Sequence, residues 1–316
     1  SGICNFKFLE MIRIISNQTL DRKRWDALVS SSDVPGMFFH FSWYLDAVFP
    51  AWQGFVYGDY EAIFPLTQKK NIGFKRMIQP IFTREFNLIG NRSKIVCRAL
   101  ESELNKCNFL LLGANKNSNL LCYDSKEKNF QLLPLFTDVQ VIQKEYSTNL
   151  KRQLKKFTST NIELKEIKDP QALIDLFKQE KGNEFKHLGS AEYAVILNLM
   201  KLGFENGNAH QFAAYDGTNL IASAFYFVHG NQVLYLKGAV NVHGRSIGAM
   251  ASVHDFAIRF FAQNDTFFDF GGSDDPGLSE FNRKFGAHDV NYLLLFSNRL
   301  PWPLNSWAKR KYNLNA

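Results

Sequence analysis

The residues best suited to chemistry fall between Tyr235 and Glu280. Tyr235-Leu236-Lys237-Gly238-Ala239 reads as a strand with a glycine inside it. Glycine weakens a strand and marks a bulge or a close backbone approach. A bulge at Gly238 would splay the sheet and leave N–H groups free to meet a ligand carbonyl. A plain strand end feeding a loop fits the same residues. Period two puts Tyr235 and Lys237 on one face. There the Tyr235 hydroxyl is either a proton donor to a leaving group or the polar tip of a core ring.

His243-Gly244-Arg245-Ser246-Ile247-Gly248-Ala249 follows, a glycine-rich turn opening a helix. Free N–H groups and the positive end of the helix dipole favour phosphate at such a place. The competing reading is a helix cap with two tightly packed glycines. A second glycine-rich loop, Gly271 to Gly277, follows the strand Phe267 to Phe270, where open α/β sheets bind ligands. Asp269, Asp274 and Glu280 are its nearby carboxylates. Each is a candidate general base or a helix cap, and capping suits Asp274 and Asp275 better.

Many other chemistries lack their motifs. There is no H-E-x-x-H, G-x-S-x-G, P-loop or G-x-G-x-x-G. Cys4, Cys97, Cys107 and Cys122 form no C-x-x-C pair, and no histidine stands at ligand spacing from them. Free thiols in a reducing compartment are expected, with no metal and no disulfide framework. With 37 Lys and Arg against 30 Asp and Glu, the chain carries +7, which permits a polyanionic partner. Lys151-Arg152 and Lys155-Lys156 form a basic helix face, and Lys309-Arg310-Lys311 lies near Trp302 and Trp307. These are either solvated surface or a contact for nucleic acid such as tRNA. No apolar run reaches the roughly 18 residues that span a bilayer. The start resembles no signal peptide, Met11 is a candidate natural start, and a cytosolic or at most membrane-peripheral location is expected.

At about 150 residues per domain, 316 residues predict two. In the first half, strands are expected at Ile12–Ile15, Gly54–Tyr57, Tyr60–Leu66, Phe74–Gln79 and Phe109–Leu112. Helices are expected from Asp21 to Val29, Ser42 to Val48 and Lys94 to Asn105. Residues 113–137 read as a polar connection. In the second half, Val139–Ile142 reads as a strand, followed by a basic helix capped by Ser147 or Thr148 and an extended Asn161–Ile167. Helices follow from Pro170 and from Ser190. Hairpins turn at Asp216-Gly217 and Gly230-Asn231, and a helix runs from Ser246 to Ala262. Each half thus reads strand, two helices, three-stranded meander, helix, strand. Two α/β units are expected, residues 1–137 and 138–316, the second carrying the site. One large mixed sheet with coincidental order is the alternative.

Residues 145 to 296 resemble the FemAB-like branch of the GNAT acyltransferase superfamily. The resemblance rests on Tyr235-Leu236-Lys237-Gly238-Ala239, on Arg245-Ser246-Ile247-Gly248-Ala249, and above all on Phe268-Asp269-Phe270-Gly271-Gly272-Ser273 followed by Gly277-Leu278-Ser279-Glu280-Phe281-Asn282-Arg283-Lys284-Phe285-Gly286-Ala287. The first half is similar more loosely, through Gly58-Asp59-Tyr60-Glu61-Ala62 and Pro80-Ile81-Phe82-Thr83. The resemblance implies a mixed α/β fold of two tandem GNAT-like units, the first degenerate. It implies N-acyl transfer to an amine of a sugar, amino acid or cell-envelope precursor, with acyl-CoA as co-substrate. Two alternatives are an aminoacyl-tRNA-dependent ligase and a non-catalytic binding module. The family's phosphate-loop pattern is partly met: Arg245 and Gly248 are placed, while Met250 stands where Gly or Ala is expected. No heptad-rich helical arm is present, and Asn282 stands where many of the peptidoglycan-bridge enzymes carry Lys. The expected catalytic residues are Tyr235, Asp269 and Glu280. The expected donor-binding residues are Lys237, Gly238, Arg245, Ser246, Gly248, Gly271, Gly272 and Ser273.

Overall fold

In the computed structural model, which describes residues 11–32, 37–71, 73–116, 118, 120, 123–182, 188–262, 266–272 and 275–314, capping chemistry sets most helix starts. After β1 (Ile12–Ser16), Asp21 accepts from Arg24 N and opens α1 (Arg22–Ser30). Then come α2 (Ser42–Val48), β2 (Gln53–Tyr57), β3 (Ala62–Leu66), β4 (Gln68–Asn71), β5 (Phe74–Ile78) and β6 (Ile89–Gly90). Next are α3 (Lys94–Leu104), β7 (Phe109–Asn115) and β8 (Asp124–Leu135). Most of the expected connection over 113–137 is therefore strand.

The segment expected as a strand at Val139–Ile142 is instead α4 (Val139–Lys144), capped by Asp138, whose Oδ1 accepts from Gln140 N at 2.7 Å. Val139-Gln140-Val141-Ile142 is too short to show a period, so the cap decides. Ser147 caps α5 (Thr148–Thr158), and β9 (Glu163–Ile167) follows. Asp169 caps α6 (Pro170–Lys181), whose proline occupies the first turn. At α7 (Ser190–Glu205) the cap is Gly189 rather than Ser190, with Glu192 accepting from the Gly189 N–H at 2.8 Å. Then follow β10 (Ala209–Asp216), β11 (Asn219–His229) and β12 (Gln232–Val240). The helix expected from Ser246 is two helices, α8 (Val242–Ile247) and α9 (Ala249–Phe261), parted by Gly248 at φ +79°. The chain continues through β13 (Thr266–Gly272), α10 (Pro276–Arg283), β14 (His288–Asn298) and α11 (Leu304–Lys311).

The chain folds as two units, one of residues 1–128 and 291–316 and the other of residues 129–290. The division expected at 137/138 thus meets cuts at 128/129 and 290/291. Each unit is a mixed α/β layer. In the first, β1-β2-β3-β6 form an antiparallel sheet. A second set runs β4-β5-β7-β14, with β5 and β7 parallel. Pairing of Tyr292–Asn298 with Phe109–Asn115 draws the C-terminal strand into this unit. Trp25 and Trp52, both fully buried with ring centroids 4.9 Å apart, anchor its core.

In the second unit the strand order is β8-β13-β12-β11-β10-β9. All neighbours are antiparallel except β12 and β13. One face buries Phe212, Tyr226, Val233 and Phe268 against Val253, Ala257 and Phe261 of α9. An α9 sequence that is apolar at this spacing can pack only on a sheet or another helix. No helix among the described residues is long and apolar enough to cross a membrane.

Candidate active site

The parallel pair of β12 and β13 is short. It runs from Gln232 opposite Phe267 to Leu234 opposite Asp269 and then parts. Beyond it β12 stays zipped to β11 as far as Val240, while β13 rejoins β8 at Gly272. A cavity of about 570 Å³ opens in the wedge. Its walls are Tyr235 to Val240 from β12, Phe270 to Gly272 from β13, and side chains of α5, α6, α8, α9 and α10.

A bulge lies beside the cavity, but not at the glycine. Phe225 faces Lys237 and Tyr226 faces Tyr235, so Leu236 is the extra residue. Gly238 pairs regularly with Ala224. The bulge also overturns the expected shared face of Tyr235 and Lys237, because one inserted residue restores opposite directions across an i, i+2 pair. Tyr235 packs on Tyr226 and His254, at 5.7 and 4.8 Å between ring centroids. Lys237 turns to the other face, its Nζ 3.6 Å from the centre of the Phe177 ring. What Gly238 supplies is room: a Cβ there would come within 2.5 Å of the Tyr235 hydroxyl. Gly271, at φ +73°, brings backbone close to the Tyr235 carbonyl, which a Cβ would meet at 3.1 Å.

The α8–α9 junction closes one end of the cavity. Gly248 sits in the left-handed region against Gln153, and α9 begins with no side-chain cap. Gly248, Met250 and Ala251, at this uncapped start, line the cavity. Arg245 reaches the same wall, already engaged: it donates to Val240 O at 2.8 Å and pairs with Glu180 at 2.8 Å.

Of the expected residues, the cavity gathers Tyr235, Lys237, Gly238, Arg245, Gly248, Gly271 and Gly272. Ser246, Asp269 and Glu280 are not brought to its wall. Ser246 turns its hydroxyl back on His243 O. Asp269 is buried and accepts from the Gly271 N–H at 2.8 Å, a local turn made by a short carboxylate. Glu280 is 73% exposed and faces Lys284 along α10, whose Leu278 and Phe281 face the cavity instead. Ser273 and Asp274 lie outside the described residues, as do Cys4 and Cys122. Asp275 caps α10, as its position predicts.

Sequence reasoning missed His254. It is buried within α9, lines the cavity, and meets the Tyr226 hydroxyl through Nδ1 at 2.9 Å. Its signal was one imidazole on an otherwise apolar inward helix face. Burial pushes it down to about 3, so it is neutral. Burial also pushes Lys237 down to about 8 and the Tyr226 and Tyr235 hydroxyls up. The wall thus holds neutral donors and one easily neutralised amine, an arrangement suited to a carbonyl gaining negative charge. Among the described residues, no three His, Cys, Asp or Glu side chains are grouped to hold a metal.

Residues 144–281 match the acetyltransferase (GNAT) domain family. Among curated proteins, none matches the sequence. The fold is similar to that of the crystal structure of FemX, at 12% identity and TM-score 0.68, over 91% of this chain and 98% of that one. It is similar to the C-terminal domain of a putative lysylphosphatidylglycerol synthetase from Agrobacterium fabrum, at 12% identity and TM-score 0.56, over 93% and 96%. It is also similar to a tandem GNAT protein from the clavulanic acid biosynthesis pathway, at 10% identity and TM-score 0.53, over 92% and 99%.

Proposed function

We propose that this GNAT-superfamily acyltransferase, FemAB-like in its tandem fold, moves an acyl group from a CoA thioester to an amine. The acceptor class is a sugar, an amino acid or a cell-envelope precursor, and the chemistry takes place in the cytosol. The second unit carries the reaction, and the first is a degenerate copy. The observation that carries this reading is the parting of β12 from β13 beside the uncapped start of α9. A slot between strands admits an extended thioester arm, and the helix start next to it suits a pyrophosphate. Arg245 adds a cation there when the phosphate competes with Glu180.

The amine nitrogen attacks the carbonyl carbon, and the C–S bond breaks. The Tyr235 hydroxyl, with no hydrogen bond of its own among the described residues, gives its proton to the departing thiolate. Lys237 loses its charge near pH 8 and takes the proton that the amine sheds. Asp269 and Glu280 play no part in this scheme.

Aminoacyl-tRNA is the second reading for the donor. The exposed cations Arg152 and Lys155 on α5, which also sends Gln153 to the cavity, favour it. Calorimetry separates the two. Acetyl-CoA binding that disappears in Arg245→Ala supports the thioester. Charged tRNA binding alone, falling steeply with salt, replaces it with the tRNA donor. Binding of neither donor overturns the transferase reading in favour of a binding module.

A further inference from the structure

His254 is not required by the scheme above, yet it is a buried polar group on the cavity wall. Its ring sits in an aromatic cage: Tyr235, Phe270 and Phe285 lie at 4.8, 5.6 and 5.8 Å between centroids. Its one hydrogen-bond partner among the described residues is the Tyr226 hydroxyl, 2.9 Å from Nδ1.

That contact fixes the proton. Tyr226 is fully buried, and His254 Nδ1 is the sole partner of its hydroxyl among the described residues. A buried phenol left without an acceptor is costly, so the O–H points at Nδ1. Nδ1 is then the acceptor nitrogen, and in a neutral imidazole the proton must sit on Nε2. Nε2 meets no acceptor among the described residues, and His254 lines the cavity. The imidazole is therefore a donor in want of an oxygen, and the hydroxyl of Tyr235, whose ring lies 4.8 Å away between centroids, is a second such donor.

We propose that His254 donates an Nε2–H hydrogen bond to the carbonyl oxygen of the acyl group being transferred, and that Tyr226 is the positioning residue that fixes its tautomer. The inference rests on the acyl-transfer reading. It assigns to this cavity a side-chain oxyanion donor rather than a second base. The proton stays on Nε2 throughout: the oxygen gains charge as the amine adds, and the hydrogen bond shortens. A neutral donor suits this task, because it approaches the developing charge without the desolvation cost of burying a cation. The group recognised is an acyl carbonyl, in a thioester or an ester alike.

Three measurements on the full chain test this. Nitrogen-resolved NMR of the free protein should find His254 neutral and protonated at Nε2 at pH 6, and Tyr226→Phe should mix in the other tautomer. A charged ring, or a proton on Nδ1, overturns the proposal. The infrared carbonyl band of carbonyl-¹³C acetyl-CoA should move to lower wavenumber on binding. His254→Phe, which refills the aromatic cage, should abolish that shift, and His254→Gln, which keeps an N–H, should restore part of it. An unshifted band, or an equal shift in His254→Phe, overturns this proposal alone. Absence of acetyl-CoA binding in the wild-type chain overturns the CoA reading alone, and the kcat of His254→Phe with charged tRNA as donor then decides this proposal. On turnover, His254→Phe should lower kcat by about 10²–10³-fold with little change in KM. Equal kcat and raised KM would make His254 a mere packing group.

Discussion

The Tyr235 hydroxyl occupies the space that a side chain on Gly238 would need, 2.5 Å from where its Cβ would stand. The glycine and the tyrosine therefore form one device: the bare strand position leaves room for the phenol oxygen of a ring that lines the cavity.

Gly238→Ala should displace Tyr235 and cost activity before it costs the fold. Overpacking of this kind costs about 1–3 kcal/mol. In the Tyr235→Phe background the obstructing oxygen is gone, so the same alanine should destabilise less. Denaturant melts of the four chains give the coupling. Additive effects would mean that the two residues do not share the space.

Arg245 and Glu180 form the second coupled pair, 2.8 Å apart at the cavity edge. A phosphate must take Arg245 from Glu180. Glu180→Gln should tighten acetyl-CoA binding a few-fold and steepen its dependence on salt, and Arg245→Ala should weaken binding by tenfold or more. Titration calorimetry at two salt concentrations reads both. Equal affinity in all three chains would remove Arg245 from the donor site.

The elements legible in the sequence were those with local chemistry. Asp21, Ser147 and Asp275 cap the helices they precede, and Asp216-Gly217 turns between β10 and β11. Gly238, Gly248, Gly271 and Gly272, each readable as a break in its element, line the cavity. What failed was non-local. The bulge at Leu236 depends on register against β11, and leucine carries no bulge signal. Asp269 and Glu280 lie near the glycine-rich loop along the chain, but their directions depend on a turn and a helix face. β8 was hidden because Asp124-Ser125-Lys126-Glu127-Lys128-Asn129 is polar, and only Phe130–Leu135 pair with β13. His254 looked like any core residue until Tyr226 and the cavity came together around it.

Lys237 should react as an unusually nucleophilic amine. Burial lowers it from 10.5 to about 8, so half is neutral at pH 8, where an ordinary lysine is almost wholly charged. Its rate of modification by an amine-directed reagent should rise through a midpoint near pH 8, and acetyl-CoA should protect it. Mass spectrometry of the labelled peptide gives the profile. A midpoint above 10 would mean that Nζ stays hydrated. The same shift makes the unfolded chain bind the extra proton between pH 8 and 10.5, so this residue's contribution favours folding increasingly as pH rises through that window.

His254 should impose an acid limit on stability. The neutral imidazole is held by burial, which lowers it from 6.5 to about 3, and by the Tyr226 hydroxyl at Nδ1. Between those two values the unfolded chain binds a proton that the native chain refuses. Stability should therefore fall as pH drops below about 6.5, approaching a slope of about 1.4 kcal/mol per pH unit until the native imidazole titrates. The neighbours Tyr226 and Tyr235 stay protonated throughout, and Asp255 on the same helix is occupied by Arg259 and Tyr146. Replacing both partners, as Tyr226→Phe with His254→Phe, removes the titrating group without stranding a buried hydroxyl. Denaturant melts from pH 7 to 4.5 should show the double variant losing less stability than the wild type. Parallel loss in the two chains would mean that water already reaches the imidazole in the native fold.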